Sequence, residues 1–450
     1  MSINFRSAFI KAAYTVMISI FVYHFFYIEF IRENIEDAAF DLINEYYLSD
    51  KKVSLDTPET MLFKVDEYSL KANGLLRDDN ETRYGYLYPR NHIAAFIEKV
   101  DQFTIANDGI CPKALFIDYD FSYPGSYDTR LTPHDEKLLS TLAQERCYRI
   151  LIPKTQNQNF IENSHNPLIQ KAIRDHNILF VSVGLTEAGD RISRRYYPYE
   201  YYKNNDGDKQ LYTAATITLW NASQRYSPDQ IKQLFSQQRI SLIENRIIYK
   251  DKVIYEQTKQ YEALQSYWQN LNIYSANYPF ENIVNERFQD AILLYGSAHQ
   301  ASNDHFIIDV FDTEISGIEM HANALMTLLY LDGKLQRLNI YLNSLLIFII
   351  VFGVDIVIQW VSHHWKWLQD KKNAYVLVSL AVMLFVSIFL LNVYKVWFNW
   401  LIPSLLTMTV PLMLSAMKLV RNTRMLPMTA YLFTVKITAS ILNKIQKKGD

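Results

Sequence analysis

Four long apolar stretches limit what this chain can fold into. One covers residues 12–28, and three lie close together near the C-terminus at about residues 338–361, 374–394 and 396–419. A helix needs about 20 apolar residues to cross a hydrocarbon layer ~30 Å thick, and residues 12–28 are near the lower limit. The mean hydropathy of −0.09 is too low for a membrane protein throughout. The pattern is a polar domain, residues 29–337, held by one N-terminal and three C-terminal transmembrane helices.

The flanking charges set an orientation. Arg6 and Lys11 border the first span, Lys366, Lys371 and Lys372 fall in the 362–373 loop, and Lys418, Arg421 and Arg424 follow the last span. The positive-inside rule places the 1–11 tail, this loop and the 420–450 tail in the cytoplasm. Lys334 and Arg337 oppose that assignment. The residues after the first span, "YIEFIREN", lack the small-x-small pattern of a cleavage site, so it reads as an uncleaved signal anchor. Residues 29–337 then lie outside the cytoplasmic (inner) membrane, without ATP or NAD. Asp355 lies inside the second span, where it is expected to pack between helices, reach toward Lys366 or take up a proton. In the 420–450 tail, Leu432, Val435, Ala439 and Leu442 form an apolar stripe among lysines. That reads as a basic amphipathic helix on the inner leaflet or as a dock for a cytoplasmic partner.

The outer domain alternates short apolar runs with helical patterns. "TMLFKVD", "ALFIDYD", "YRILIP", "NILFVSVG" and "DAILLYGS" read as buried strands, and "HFIIDVF" as a further one. "RNHIAAFIEKVD", "HDEKLLSTLAQE" and "PLIQKAIRDH" read as helices between them. This predicts an α/β domain with a largely parallel sheet. The only two cysteines, Cys111 and Cys147, each precede a strand. They either form one disulfide in an oxidising compartment or remain two inert buried thiols. The net charge of −2 gives no reason to expect nucleic acid.

Catalytic signatures are scarce. The chain has no Walker loop, GxGxxG, GxSxG or HExxH, so no enzyme activity, metal or cofactor is expected. The candidate site rests on carboxylates at strand ends, because ligands of parallel sheets bind beyond the C-terminal ends of the strands. Asp66, Asp118 and Asp120 together with Arg90 are expected to share a crevice for a cation or polar ligand. The plainer alternative is that these acids cap the following helices. Further on, "ISGIEMHANALMTLL" packs Glu319, His321 and Asn323 at every second position. Gly317 is expected to permit a turn and "IEMH" to run extended, with Glu319 and His321 on one side and the helix starting near His321 or Ala322. The trio then either fastens the outgoing helix to the sheet or contacts a solute.

The order of several pieces resembles the type-2 CHASE domain family, extracytoplasmic sensory domains of cyclases and histidine kinases. They are "AAFDLINEYYL", "LFKVDEYSLKANG", "YLYPRNHIAAFIEKV", "ALFIDYDFSYPG", "ISRRYYPY", "DAILLYGSA" and "ISGIEMHANALMTLL". The family also places one span before and three after the domain. The chain departs at "YGYLYPR", where the family usually has Trp before its Pro-Arg, and leaves too few residues after the last span for an output domain. The resemblance implies a sensor that detects an envelope ligand and signals through its helices to a separate cytoplasmic or membrane partner, with homodimerisation left open. The two helices leading to the membrane are expected at opposite ends of a rigid domain, with His321 as the pH-sensitive group. The competing reading is an anchored assembly protein whose outer domain binds another envelope protein.

Overall fold

The computed structural model describes residues 4–25, 36–48, 52–76, 82, 88–125, 130–154, 159–187, 192–203, 208–224, 245–250, 264–299, 302, 304–308, 314–364, 374–404 and 406–407. The chain forms two compact units. One is Phe40–Gln336, and the other joins Met1–Ala39 to Arg337–Asp450.

Phe40–Gln336 is built on a seven-stranded sheet in the order β4-β3-β2-β11-β1-β10-β9. Its strands are β1 (Thr60–Val65), β2 (Ala114–Asp118), β3 (Arg149–Pro153), β4 (Ile178–Val181), β9 (Leu264–Gln265), β10 (Leu271–Ser275) and β11 (Ile292–Ser297). Every pairing is parallel except that of the edge strand β9 with β10. Parallel strands are covered on both faces, so they read as continuous apolar runs. Thus Met61, Leu62 and Phe63 are all buried in β1, and Leu115, Phe116 and Ile117 in β2.

The sheet's two faces differ. Met61, Phe63, Val65, Leu115, Ile117, Leu293 and Tyr295 point to one face and join a large aromatic core. Helices α4 (Arg90–Ala106), α5 (Pro133–Leu142) and α6 (Pro167–Arg174) contribute to that core. The opposite face carries α7 (Ala215–Gln224) and α9 (Gly317–Leu331), which pack on each other. Of the short helices α2 (Asp37–Ile43), α3 (Glu67–Ala72) and α8 (Asn285–Phe288), α3 and α8 add Leu70 and Phe288 to the aromatic core. α2 runs on into a π-helical turn, Asn44–Leu48. Two hairpins extend beyond the sheet: β5 (Leu185–Glu187) with β6 (Ser193–Tyr196), and β7 (Tyr199–Lys203) with β8 (Lys209–Thr213).

The expected strands at the start, middle and end of the domain fall where the apolar runs place them. "HFIIDVF" differs: of its described residues, 305–308, His305–Ile307 form β12, which pairs with β13 (Glu314–Ser316) outside the main sheet. Cys111 and Cys147 are joined by a disulfide, with Cα atoms 6.3 Å apart, so the two-thiol alternative is set aside.

In the other unit, α1 (Phe5–Phe25) packs along α10 (Ile340–His364), and α10 packs on α11 (Ala374–Tyr394). Lys11 of α1 donates to Asp355 of α10. Gln359 donates to the other oxygen of Asp355 at 2.7 Å. Asp355 thus packs between helices, one of the expected alternatives; Lys366, named in another, lies outside the described residues. Among the described residues two helices are long and apolar enough to cross a membrane, Ile340–His363 and Leu377–Tyr394. Most of the expected 396–419 span, the 420–450 tail and residues 365–373 fall outside the described residues.

Candidate functional site

The strand-end acids do not share one crevice. Asp66 caps α3: its Oδ1 accepts from the Ser69 N–H at 2.8 Å and from the Ser69 hydroxyl at 2.6 Å. That is the expected N-cap chemistry. Asp120 is exposed, and its Oδ1 accepts from Ser122 N–H and Oγ. Arg90 lies on the aromatic-core side with its guanidinium 4.7 Å from the Phe121 ring centre. Its Nη2 donates to the backbone carbonyls of Asp120 and Tyr123, at 2.6 and 3.3 Å. Burial lowers the Arg90 pKa to about 10, opposed by Asp135 and Asp120, which leaves it charged at neutral pH. Its role here is to hold the loop after β2.

Asp118 lies elsewhere. It ends β2 on the face that carries α9, because it shares parity with Phe116 rather than with Ile117. Gly296 of β11 is its cross-strand partner. A Cβ on Gly296 would lie 2.9 Å from Ile318 and 3.1 Å from the Asp118 Cβ, so glycine is what lets α9 approach the sheet here. One residue earlier, a Cβ on Gly317 would meet the Asp304 carboxylate at 2.3 Å. Gly317 thus answers a close approach rather than a turn. Asp118 and Asp304 flank the first turn of α9. The Asp118 side chain has neither a hydrogen bond nor an ion pair among the described residues. Burial first, and the Asp304 charge second, push the Asp118 pKa well up. Burial also raises that of Asp304, against the lowering effects of His305 and of the Gly317 N–H. Like charges in a poorly solvated place favour holding a proton between them.

Glu319, His321 and Asn323 are all inside α9, which begins at Gly317, earlier than the expected helix start. The expected extended "IEMH" is therefore replaced by helix, and at 100° per residue Glu319 and His321 face different ways. Glu319 closes a capping box: Ser316 N–H and Oγ donate to its Oε2 at 3.0 and 2.7 Å. Its Oε1 accepts from Lys64 of β1 at 2.7 Å. Burial alone would raise its pKa, but Lys64 and Ser316 outweigh it and the net shift is downward. His321 is buried edge-on against Phe116, ring centres 5.3 Å apart, and its Nδ1 has no hydrogen-bond partner among the described residues. Burial lowers its pKa to about 4, so it is neutral across the range where an ordinary histidine titrates. Asn323 donates to the Glu319 carbonyl, and its Oδ1 accepts from Lys250 N–H at 3.0 Å and Trp268 Nε1 at 3.1 Å. The trio fastens α9 to the sheet and to the chain beside it. Among the described residues, no group of three or more His, Cys, Asp or Glu is placed to hold a metal ion.

Residues 15–358 match the family model of the CHASE2 domain. The chain belongs to the CHASE2 family. The match spans the whole α/β unit and continues into α10. Neither the curated proteins nor the solved structures give a match to this chain. CHASE2 domains are sensory extracellular domains, which gives the carboxylates around α9 a context that their geometry alone lacks. Asp304 and Lys64, the partners of the candidate site around α9, are invisible to periodicity. Asp304 lies in a polar stretch before a short strand, and Lys64 sits as one charge inside an apolar run.

Proposed function

We propose that this CHASE2 protein is a membrane-bound sensor without enzymatic activity, whose outer unit responds to a condition of the envelope. The signal then passes through its membrane helices to a separate partner. The observation carrying this reading is the Asp118–Asp304 pair around the first turn of α9, the helix whose chain leads on to the apolar helix α10. Anything that neutralises the pair, a proton or a cationic solute, relieves repulsion beside that turn. The groups around the pair are His305 next to Asp304, the Lys64–Glu319 ion pair, and His299 near Glu67 and Asp66.

The sign follows from linkage. Carboxylates whose pKa is raised in the folded state favour folding at low pH, and that contribution is lost as pH rises through the raised values. The pair's contribution therefore grows on acidification and shrinks as pH rises. Hydrogen exchange of the α9 first turn, measured on the full chain carrying His321→Leu in nanodiscs between about pH 4 and pH 8, tests this without the opposing histidine titration. Protection should rise on acidification with both carboxylates in place and stay level in Asp118→Asn/Asp304→Asn. A turn indifferent to pH with both carboxylates in place refutes it.

The topology proposed is one span before the domain and three after it, with both termini cytoplasmic. The two apolar helices, the lysines flanking residues 12–28 and 374–394, and a disulfide that needs an oxidising compartment support it. Leu168, exposed on α6, is a reporter position. Leu168→Cys should react with a membrane-impermeant maleimide on intact spheroplasts. Protection there, with labelling only after lysis, would place the domain in the cytoplasm and end the sensor reading.

A further inference from the structure

One buried extended segment, Asn245–Lys250, touches both helical stretches that lead toward the membrane, the incoming α2 with its π turn and the outgoing α9. Its backbone amides alternate in direction, as those of an extended chain do. Ile247 N–H donates to the Arg194 carbonyl of β6 at 2.9 Å, and Tyr249 N–H donates to Asn44 Oδ1 of the incoming helix at 3.1 Å. Between them, Ile248 N–H donates to Thr327 Oγ1 at 2.9 Å, and Lys250 N–H to Asn323 Oδ1 at 3.0 Å, both on α9. Toward β6 the segment keeps a strand neighbour at Asn245–Ile247, while toward α9, and at Tyr249, helical side chains take the place of a strand.

Charged groups reinforce the incoming side. Asp41 accepts from Arg194 Nε and Nη2 at 3.0 and 2.8 Å through one oxygen, and from Arg246 Nη2 through the other. The Arg246 guanidinium also lies 4.6 Å from the Phe40 ring centre. Lys250 Nζ donates to the Leu48 carbonyl, which ends the π turn. Residues 245–250 are all buried. The expectation that the two helices attach to opposite ends of the domain is therefore corrected: both are bonded to the same six residues.

We infer that Asn245–Lys250 is a tie bar that joins the incoming and outgoing helices into one mechanical body. A signal at the α9 first turn then moves both helices together relative to the sheet, and neither slides past the other. The purpose rests on the sensor reading, but the coupling does not. An outer unit that ignores pH would leave the tie intact, and a loose tie would leave the carboxylate pair able to respond.

Double electron–electron resonance on the full chain in nanodiscs tests the coupling. Spin labels go on Tyr46→Cys, an exposed position of the π turn, and Asp332→Cys, at the exposed end of α9. The native cysteines are in the disulfide and do not label. The labelled parent should give one narrow distance. Adding Asn44→Ala, Asn323→Ala and Thr327→Val should broaden it at least twofold while thermal unfolding stays cooperative. Restoring acceptors with Asn323→Asp and Thr327→Ser, and Asn44 itself, should narrow it again. Leu139→Ala, a cavity on the opposite face, should lower the Tm without broadening. A parent distribution that is already broad, a triple variant that stays narrow, a restored variant that stays broad, or a Leu139→Ala variant that broadens equally overturns the inference.

Discussion

The two faces of the central sheet use different chemistry. On the α4–α6 face, Phe63 stacks on Tyr274 and Phe280 with centroids 5.2 and 5.1 Å apart, and Phe96 stacks on Tyr295 at 4.0 Å. On the α9 face, Lys64, Asp118, Glu319, His321 and Asn323 are interleaved with apolar groups, Phe116 and Trp268 among them. The hydrophobic burial that drives an aromatic core is non-directional and strong in sum. A buried polar network is directional, and each group depends on its partner. The first face supplies stability. The second fixes where one helix lies and leaves it sensitive to charge, which is what a responsive element needs.

The largest effect should come from the aromatic face. Phe63→Ala removes the ring at the centre of three aromatic contacts and should cost about 3–5 kcal/mol in denaturant unfolding of the full chain. A loss under 1 kcal/mol would erase the proposed contrast. Next, Asp41→Ala leaves Arg194 and Arg246 buried without their shared carboxylate. Breaking a buried ion group in this way should cost about 3 kcal/mol. Asp41→Asn, which keeps the shape, should recover part of that loss.

His321 sharpens the comparison through pH. Its folded pKa lies below its unfolded one, so the unfolded chain takes the proton first as pH falls from about 6.5 to about 4. Stability is lost over that window, on the order of 3 kcal/mol. His321→Leu should be within about 1.5 kcal/mol of native at pH 7 and should lack this acid-side loss. The carboxylate pair has the opposite sign, so Asp118→Asn should raise the Tm at pH 7 and make no difference near pH 3. Thermal melts across pH separate the two. The smallest effect belongs to the exposed Lys171–Glu145 pair, where Glu145→Ala should leave the melting curve unchanged.

Much of the sheet was legible because parallel strands buried on both faces leave unbroken apolar runs. β1, β2, β3 and β11 fall within the runs that announce them. β10 was not read, because Asn272 interrupts it. That residue is buried all the same, with its amide donating to Glu59 at 2.6 Å. The site was less legible. Alternation of Glu319, His321 and Asn323 mimics a strand, but a capping box at Ser316 and Glu319 starts a helix first. The same S-x-x-E spacing was present in the sequence as a helix-start signal and decides the local structure. Asp304 and the tie-bar contacts of Asn44 and Thr327 carry no local signature. They matter only because distant segments bring backbone amides to them.

The Lys11–Asp355 bond has a consequence for biogenesis in the proposed topology. The ribosome makes the cation 344 residues before its counter-ion. Until α10 emerges, the first helix must hold its ammonium near the bilayer surface without the Asp355 carboxylate, within reach of lipid phosphate. A nascent chain arrested ahead of Asp355 should consequently sit shallower in the membrane than the finished protein, with its N-terminal segment drawn in only as the later helix inserts.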